Sequence, residues 1–186
     1  MTLEEAKAAL EAMLFSLSRP LSAQQLAETL DIEVGTVEGL LDQLAQQYRQ
    51  EHHGIQLYTL AGGYVLGTKP EYSRYVRHLH EPVIRGGLSQ AALETLAVIA
   101  YKQPCTKTDI EMIRGVNVDS AVNSLLSREL ITEVGRKDAP GRPILYGTTE
   151  EFLVSFGINH LDDLPQLPEK TLLQLEEIEA AATGEE

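Results

Sequence analysis

Two stretches of this chain, 20–44 and 104–128, carry the same local signals at a constant offset of 84 residues. Each begins with a proline, an apolar residue and a hydroxyl side chain that can cap a helix, followed three positions later by a side chain that can bond back to the cap. These are Pro20, Leu21, Ser22 and Gln25 in the first copy, and Pro104, Cys105, Thr106 and Asp109 in the second. The chain is therefore expected to contain one structural unit twice.

Each capped start leads into a short helix, a turn and a second helix. Ile32 and Val116 are the apolar residues of the two turns, and we expect both to be buried. The second helices place apolar residues at spacings of three and four, which lie on one helical face. They are Val34, Val37, Leu40, Leu41 and Leu44 in one copy, and Val118, Ala121, Val122, Leu125 and Leu126 in the other. With a helix before each cap, this pattern predicts a helix-turn-helix core.

Both copies then continue into strand-like sequence, which a plain helical bundle would not do. Residues 55–60 and 64–68 are rich in β-forming residues and are separated by Gly62 and Gly63, a hairpin signal. In the second copy, residues 130–135 and 143–148 flank a polar loop. The predicted fold class is mainly α with small β-hairpin wings (α+β), arranged as two tandem winged-helix domains.

The repeat predicts two small domains within the 186 residues. We assign residues 1–81 to the first domain, 82–87 to a linker with a proline and paired glycines, and 88–168 to the second domain with a fold-back extension. Residues 169–186 form an acidic tail, and the last 30 residues carry a net charge of −7 out of −13. Composition and position favour a frayed, flexible tail over a partner-binding helix.

A winged helix suggests DNA binding, but the charges on the presumptive reading helices argue against it. In the first copy Glu38, Asp42 and Gln46 follow one another on the solvent face. The matching face of the second copy carries Asp119, Ser120, Asn123, Ser124 and Ser127, with Arg128 at its end. Because affinity for DNA comes largely from cations that release counterions, neither helix is suited to it.

The second wing is the exception, since Arg136, Lys137 and Arg142 lie within seven residues. These cations either contact phosphates or pair with Asp138, Glu133 or acidic residues of a partner. Three cations on an acidic chain are weak evidence for DNA binding. Direct DNA contact is expected to be weak or absent, and a tandem winged-helix transcription regulator remains the alternative function.

No catalytic, cofactor or metal site is expected. The five histidines and one cysteine do not stand at metal-ligand spacing. Cys105 lies beside a helix cap without a sequence-local base, which predicts a packed thiol rather than a nucleophile. With no apolar run of about 20 residues, no secretory signal pattern and one cysteine, the expected location is the cytoplasm.

The second half of the chain closely resembles the segregation and condensation protein B family. The resemblance rests on residues 88–104 (LSQAALETLAVIAYKQP), 113–117 (IRGVN), 141–149 (GRPILYGTT) and 152–165 (FLVSFGINHLDDLP). It extends through about residue 168, and in the first domain it is mainly architectural. Cys105 departs slightly from the family, which usually has a larger aliphatic residue there.

The resemblance implies a non-enzymatic bacterial subunit that forms a homodimer, chiefly through its first domains. It also implies binding, assigned here to the second domain, to the kleisin subunit (ScpA-like) that bridges the heads of an SMC ATPase. On this reading the assembled complex condenses and partitions chromosomes, and the chain is cytoplasmic and associated with the nucleoid through that complex. ATP and most DNA contact would belong to the SMC subunit.

Candidate interface residues follow from side-chain chemistry. Tyr101 and Tyr146 combine a large apolar body with a polar group, and Arg114 and Arg142 can make bidentate contacts, so all four are candidate partner anchors. Core packing for the tyrosines and loop-fixing ion pairs for the arginines are the alternatives. Candidate dimerisation residues lie on the first helix, where part of the apolar stripe must also cover its own domain: Leu3, Leu10, Leu14 and Leu17.

Overall fold

The computed structural model describes residues 1–79, 87–168 and Thr171. The chain divides into two units, Met1–Arg85 with Gly157–His160, and Gly86–Phe156 with Leu161–Glu186. Most of the predicted linker and of the predicted tail lies outside the described residues, so those two assignments remain predictions.

The predicted winged-helix architecture is confirmed, because three helices followed by an antiparallel hairpin occur twice. The first unit contains α1 (Leu3–Ser16), α2 (Ala23–Leu30), α3 (Val34–Tyr48), β1 (Ile55–Leu60), β2 (Gly63–Thr68), a 3-10 turn (Pro70–Tyr72) and α4 (Ser73–Leu79). The second contains α5 (Gln90–Lys102), α6 (Lys107–Arg114), α7 (Asp119–Ser127), β3 (Ile131–Arg136), β4 (Ile144–Thr148), α8 (Glu150–Phe156) and a 3-10 turn (Leu161–Asp163).

Both predicted capping boxes are present. The Gln25 amide donates to Ser22 Oγ at 3.1 Å, and the Ser22 amide donates to Gln25 Oε1 at 3.0 Å. In the second unit the Asp109 amide donates to Thr106 Oγ1 at 3.2 Å, and the Thr106 amide donates to Asp109 Oδ2 at 2.8 Å. These bonds satisfy amides that the first helical turn leaves without partners, so they fix where α2 and α6 begin.

The residue before each cap also ties the helices to the wing. Leu21 and Tyr64 exchange main-chain hydrogen bonds of 2.9 and 2.8 Å, and Cys105 and Tyr146 do the same at 3.2 and 2.8 Å. Each pair forms an antiparallel bridge outside the hairpin. The duplicated signals therefore specify the join between the helical core and the hairpin as well as the helix starts.

The two hairpins differ in how they turn. In the first, Ala61 and Gly62 both have positive φ, 49° and 70°, and make a two-residue loop whose twist suits the strands. Gly63 already belongs to β2, where an added Cβ would lie 3.0 Å from Cβ of Pro20. In the second hairpin the register shifts by one residue at Val134, which forms a bulge.

Each unit has its own apolar core. In the first it is built from Ala6, Leu10, Leu14, Leu26, Ala27, Val37, Leu40, Leu41, Leu44 and Tyr48, with Leu21 from the bridge. In the second it includes Ala92, Leu96, Ile99, Ile110, Val118, Val122, Leu125, Ile131, Tyr146 and Phe152. None of the described helices has the length and apolar character needed to cross a bilayer.

The predicted burial of the two turn residues is only half right. Ile32 packs against the first core, but Val116 is 54% exposed. The reason is that α6 ends at Gly115 in the left-handed conformation, and the turn then points Val116 outward. Val118 takes the buried place instead, and its amide donates to Glu111 Oε1 at 3.1 Å.

Candidate protein-interaction surfaces

The exposed face of α3 is acidic, as its sequence predicts. Glu38 and Asp42 are both exposed there. Burial raises the pKa of the Tyr64 hydroxyl, and the charges of these two carboxylates raise it further. The face therefore carries a negative potential at the position where a DNA-reading helix needs a positive one.

At the start of α7, the lysine Lys107 is paired with an aspartate of the same unit. Lys107 Nζ lies 2.6 Å from Asp119 Oδ1, and Asn117 donates to the other carboxylate oxygen at 3.2 Å. The hydrogen bond from Lys107 lowers the pKa of Asp119, and the same bond raises the pKa of Lys107. This pair places a carboxylate, not a cation, at the start of the second reading helix.

Two basic side chains of the second wing also make their contacts within the unit. Lys137 Nζ lies 3.2 Å from Asp109 Oδ1, and Arg136 Nη1 donates to the carbonyl of Arg142 at 3.1 Å. Burial would raise the pKa of Asp109, but hydrogen bonds from Thr106 and then from Lys137 outweigh it and hold that pKa below its usual value. Arg142 is exposed and has a positive φ of 43°. Two of the three wing cations therefore shape the loop.

Arg114 joins α6 to α5. Its Nη1 donates to the Ala91 carbonyl at 2.9 Å and to Thr95 Oγ1 at 2.6 Å, and its Nη2 lies 2.7 Å from Glu94 Oε2. Only 11% of its side chain is exposed, and Thr95 is fully buried. The guanidinium thus holds the C-terminal end of α6 against α5 and has little surface left for a partner.

The two candidate tyrosines have different environments. Tyr101 is 37% exposed, and its hydroxyl donates to the Pro165 carbonyl at 2.7 Å, which holds the segment after α8 on α5. Tyr146 is only 3% exposed, because its main chain forms the bridge to Cys105 and draws the ring into the core. Tyr146 therefore has no surface to offer a partner, which corrects the sequence-based assignment, whereas Tyr101 stays a candidate.

The four candidate leucines on and after α1 also differ in exposure. Leu10 and Leu14 are 0% and 2% exposed and belong to the core of their own unit, so the folded unit does not present them to a second chain. Leu3 is 64% exposed and Leu17 is 40% exposed. Leu17 lines a groove of about 380 Å³ between the end of α1 and α2. Leu3 and Leu17 remain predictions as dimerisation residues.

The opposite face of α1 carries a surface that the sequence analysis missed, here called the Phe15 groove. It is a groove of about 290 Å³ beside the hairpin, lined by Ala8, Glu11, Ala12, Phe15, Tyr48, Ile55 and Leu66. Phe15 is 82% exposed at its edge. The signal was present, since Ala8, Ala12 and Phe15 recur at helical spacing outside the core stripe.

The described residues show neither a reactive cysteine nor a cluster of metal ligands. Cys105 is 3% exposed, and burial followed by the charge of Asp109 raises the pKa of its thiol to about 11. A thiol at neutral pH is a poor nucleophile, so the packed role predicted for it fits its surroundings. Within residues 1–79, 87–168 and Thr171, no three His, Cys, Asp or Glu side chains come together as metal ligands.

Sequence comparison assigns the chain to a family. The sequence model of the segregation and condensation complex subunit ScpB matches residues 8–167. The chain belongs to the ScpB family. It is 48% identical over 178 residues to segregation and condensation protein B of Moorella thermoacetica, covering 96% of this chain and 91% of that protein. It is 49% identical over 164 residues to the protein of the same description from Alkaliphilus oremlandii, covering 88% and 89%.

Solved ScpB structures also match. The crystal structure of ScpB from Mycobacterium tuberculosis is 38% identical, covers 85% of this chain and 98% of that chain, and has a TM-score of 0.43. A dimer of the ScpB N-terminal domain, crystallised in complex with an ScpA peptide, is 37% identical, covers 41% of this chain and 96% of that chain, and has a TM-score of 0.40. The family resemblance recognised in the sequence is thus confirmed by the family match and the relatives together.

Proposed function

We propose that this chain acts as a homodimeric, non-enzymatic subunit that binds a kleisin and stabilises it on the heads of an SMC ATPase. The observation that carries the proposal is the match of residues 8–167 to a family of segregation and condensation complex subunits. As such a subunit it would take part in chromosome condensation and partition, in the cytoplasm and at the nucleoid through the SMC complex.

The chemistry of the surfaces supports a protein partner over a nucleic acid. The exposed face of α3 is acidic. Lys107 beside the start of α7 and two of the three cations of the second wing bond within their own unit: Lys107 to Asp119, Lys137 to Asp109, and Arg136 to a main-chain carbonyl. A winged helix that reads DNA needs such cations for phosphates. Large apolar side chains are exposed on both units instead, as partner-binding surfaces require.

We assign kleisin binding to the second domain, residues 88–168, and dimerisation to the first, residues 1–81. On the second domain, the exposed ring of Tyr101 and the exposed Arg142 are the anchors that remain from the sequence analysis. Leu93 and Tyr101 are exposed eight residues apart on α5, a spacing that places them on one side of the helix. An amphipathic kleisin segment can pack along this side.

Size-exclusion chromatography with light scattering tests the proposal directly. The full chain is run alone, with the cognate kleisin, and with a 30-base-pair duplex of random sequence. We expect twice the chain mass alone, a larger complex with the kleisin, and no shift with the duplex at about 150 mM salt, where a few phosphate contacts bind weakly. A monomer that ignores the kleisin would contradict the proposal, and a stable complex with the duplex would favour a transcription regulator.

A further inference from the structure

We propose that residues 161–168, here called the strap, are an autoinhibitory segment that occupies one end of the partner-binding side of α5 and is held there by the Tyr101 hydroxyl. The kleisin must displace the strap in order to bind along the whole of this side. The inference rests on the proposed function, because it concerns the regulation of the α5 surface assigned there to the kleisin.

The side of α5 that is open to a partner is a row of three residues. Leu93, Ala97 and Tyr101 are all exposed and follow one another at spacings of four, which places them on one side of the helix. Leu96 and Ile99, by contrast, are 1% and 0% exposed and belong to the core. An amphipathic partner helix packs along such a row because its own apolar residues recur at matching intervals.

The strap reaches the last residue of this row. It belongs to the same unit as α5, and the Tyr101 hydroxyl donates to the Pro165 carbonyl at 2.7 Å. Helices that pack side by side have axes about 8–10 Å apart. A main-chain group within hydrogen-bond distance of an α5 side chain therefore stands in the layer that a partner helix would fill. The strap and a kleisin helix cannot both occupy the Tyr101 end of α5.

The strap is held by few contacts. It contains a 3-10 turn (Leu161–Asp163), after which the Leu164 amide donates to the Leu161 carbonyl at 3.0 Å. Leu164 and Leu167 are partly buried, but none of residues 161–168 is fully buried. Segments with few buried apolar contacts open at a low cost in free energy. The strap therefore covers the end of α5 with a contact that a tighter ligand can replace.

The Tyr101 hydroxyl sets the balance between the closed and the open strap. A hydrogen bond between neutral groups shifts such an equilibrium by about 2-fold to 12-fold, once the lost bonds to water are counted. A ligand that binds only the open form has its affinity reduced in proportion to the open fraction. The hydroxyl therefore lowers the affinity for the kleisin by up to this factor, whereas the ring of the same residue belongs to the binding surface.

The substitution Tyr101→Phe in the full chain tests the proposal, because it removes the hydroxyl and keeps the ring. We expect the dissociation constant for a labelled cognate kleisin, measured by fluorescence anisotropy, to fall about 2-fold to 12-fold. Leu164→Ala loosens the strap without altering α5 and should change the constant in the same direction. The matched control is Tyr72→Phe, which removes a hydroxyl from a similarly exposed tyrosine of the first unit and should leave the constant unchanged.

Hydrogen exchange of the wild-type chain gives an independent readout of strap release. The Leu164 amide is bonded within the strap and reports on its turn, and the amides of α5 report on the surface beneath it. When the kleisin is added, we expect peptides from the strap to exchange faster and peptides from α5 to exchange no faster than in the free chain. A strap with a merely structural role would keep its exchange rate.

The outcomes separate this inference from the proposed function. A chain that fails to bind the kleisin would contradict both. A chain that binds the kleisin with an affinity that neither Tyr101→Phe nor Leu164→Ala raises would overturn the inference and leave the proposed function standing. Unchanged or slower exchange of the strap in the complex would overturn the inference as well, because the strap would then stay in place or form part of the kleisin contact.

Discussion

Replacing Arg114 with alanine should destabilise the second unit more than it weakens partner binding. The guanidinium joins α6 to α5 through the Ala91 carbonyl, the fully buried Thr95 hydroxyl and the Glu94 carboxylate, at distances of 2.6 to 2.9 Å. Only 11% of the arginine side chain is exposed. Its removal leaves polar groups of α5 without the donor that now serves them.

The size of the effect follows from these contacts. Hydrogen bonds to a charged group contribute about 1.5–3 kcal/mol each, and the half-exposed ion pair with Glu94 adds at most about 1 kcal/mol. Such contributions are not additive in one cluster, so we expect a loss of about 2–4 kcal/mol in the free energy of unfolding. For a unit of this size, each 1 kcal/mol corresponds to a change of about 4–8 °C in Tm.

Hydrogen exchange followed by mass spectrometry measures this in the full chain, because peptides from α5 and α6 report on the second unit alone. Their slowest amides should exchange roughly 30-fold to 1,000-fold faster in Arg114→Ala, the ratio that corresponds to this free energy. Arg142→Ala, which removes an exposed arginine from the same unit, is the matched control and should change little. Unchanged protection of α5 combined with lost kleisin binding would refute the reasoning and make Arg114 a partner anchor.

Three further predictions concern single contacts. Gly63→Ala should lower the free energy of unfolding, measured in urea, by about 1–3 kcal/mol, because the added Cβ would meet Pro20 and Leu21 before α2. Gly39→Ala on α3, where the added Cβ has open space, should raise it by about 0.5–1 kcal/mol. Equal changes in stability for the two variants would show that the space around Gly63 is not restricted. Because the pKa of Asp109 is lowered by folding, its contribution to stability is complete above about pH 4, its unfolded value, and is lost as the pH falls through the folded value. In Asp109→Asn the free energy of unfolding should therefore fall less steeply as the pH drops below about 4. An unchanged dependence on pH would contradict the role given to Asp109. Cys105, buried and with a raised pKa, should resist a thiol reagent at pH 8 until urea unfolds the chain, and rapid labelling of the native protein would count against the packed role.

The elements of the fold were predictable where the signal is local. A hydroxyl followed three residues later by Gln25 or Asp109 fixes a helix start through bonds between near neighbours, so both capping boxes were found from the sequence. The first hairpin was equally accessible, because its turn needs positive φ and Gly62 supplies it. The duplicated pattern then gave the architecture, since each copy supports the other.

Burial was less predictable because it depends on contacts distant in sequence. Tyr146 is drawn into the core by its main-chain bridge to Cys105, and nothing near it in the sequence reports that pairing. Val116 looks apolar and central, but the left-handed Gly115 turns it outward and Val118 is buried in its place. Phe15 is harder to predict for a different reason, because an exposed aromatic residue next to the strong apolar periodicity of Leu10 and Leu14 has only a weak periodic signal of its own.

The exposed surfaces of this chain are expected to bind protein in preference to DNA. A comparison of its affinities for the two partners tests this most directly. Fluorescence anisotropy can follow a labelled cognate kleisin and a labelled 30-base-pair duplex against the same full chain between about 50 and 200 mM salt. We expect the kleisin to bind far more tightly throughout this range, with only a weak dependence on salt. Tighter binding of the duplex, with an affinity that falls about 1,000-fold or more over the same range, would contradict the account.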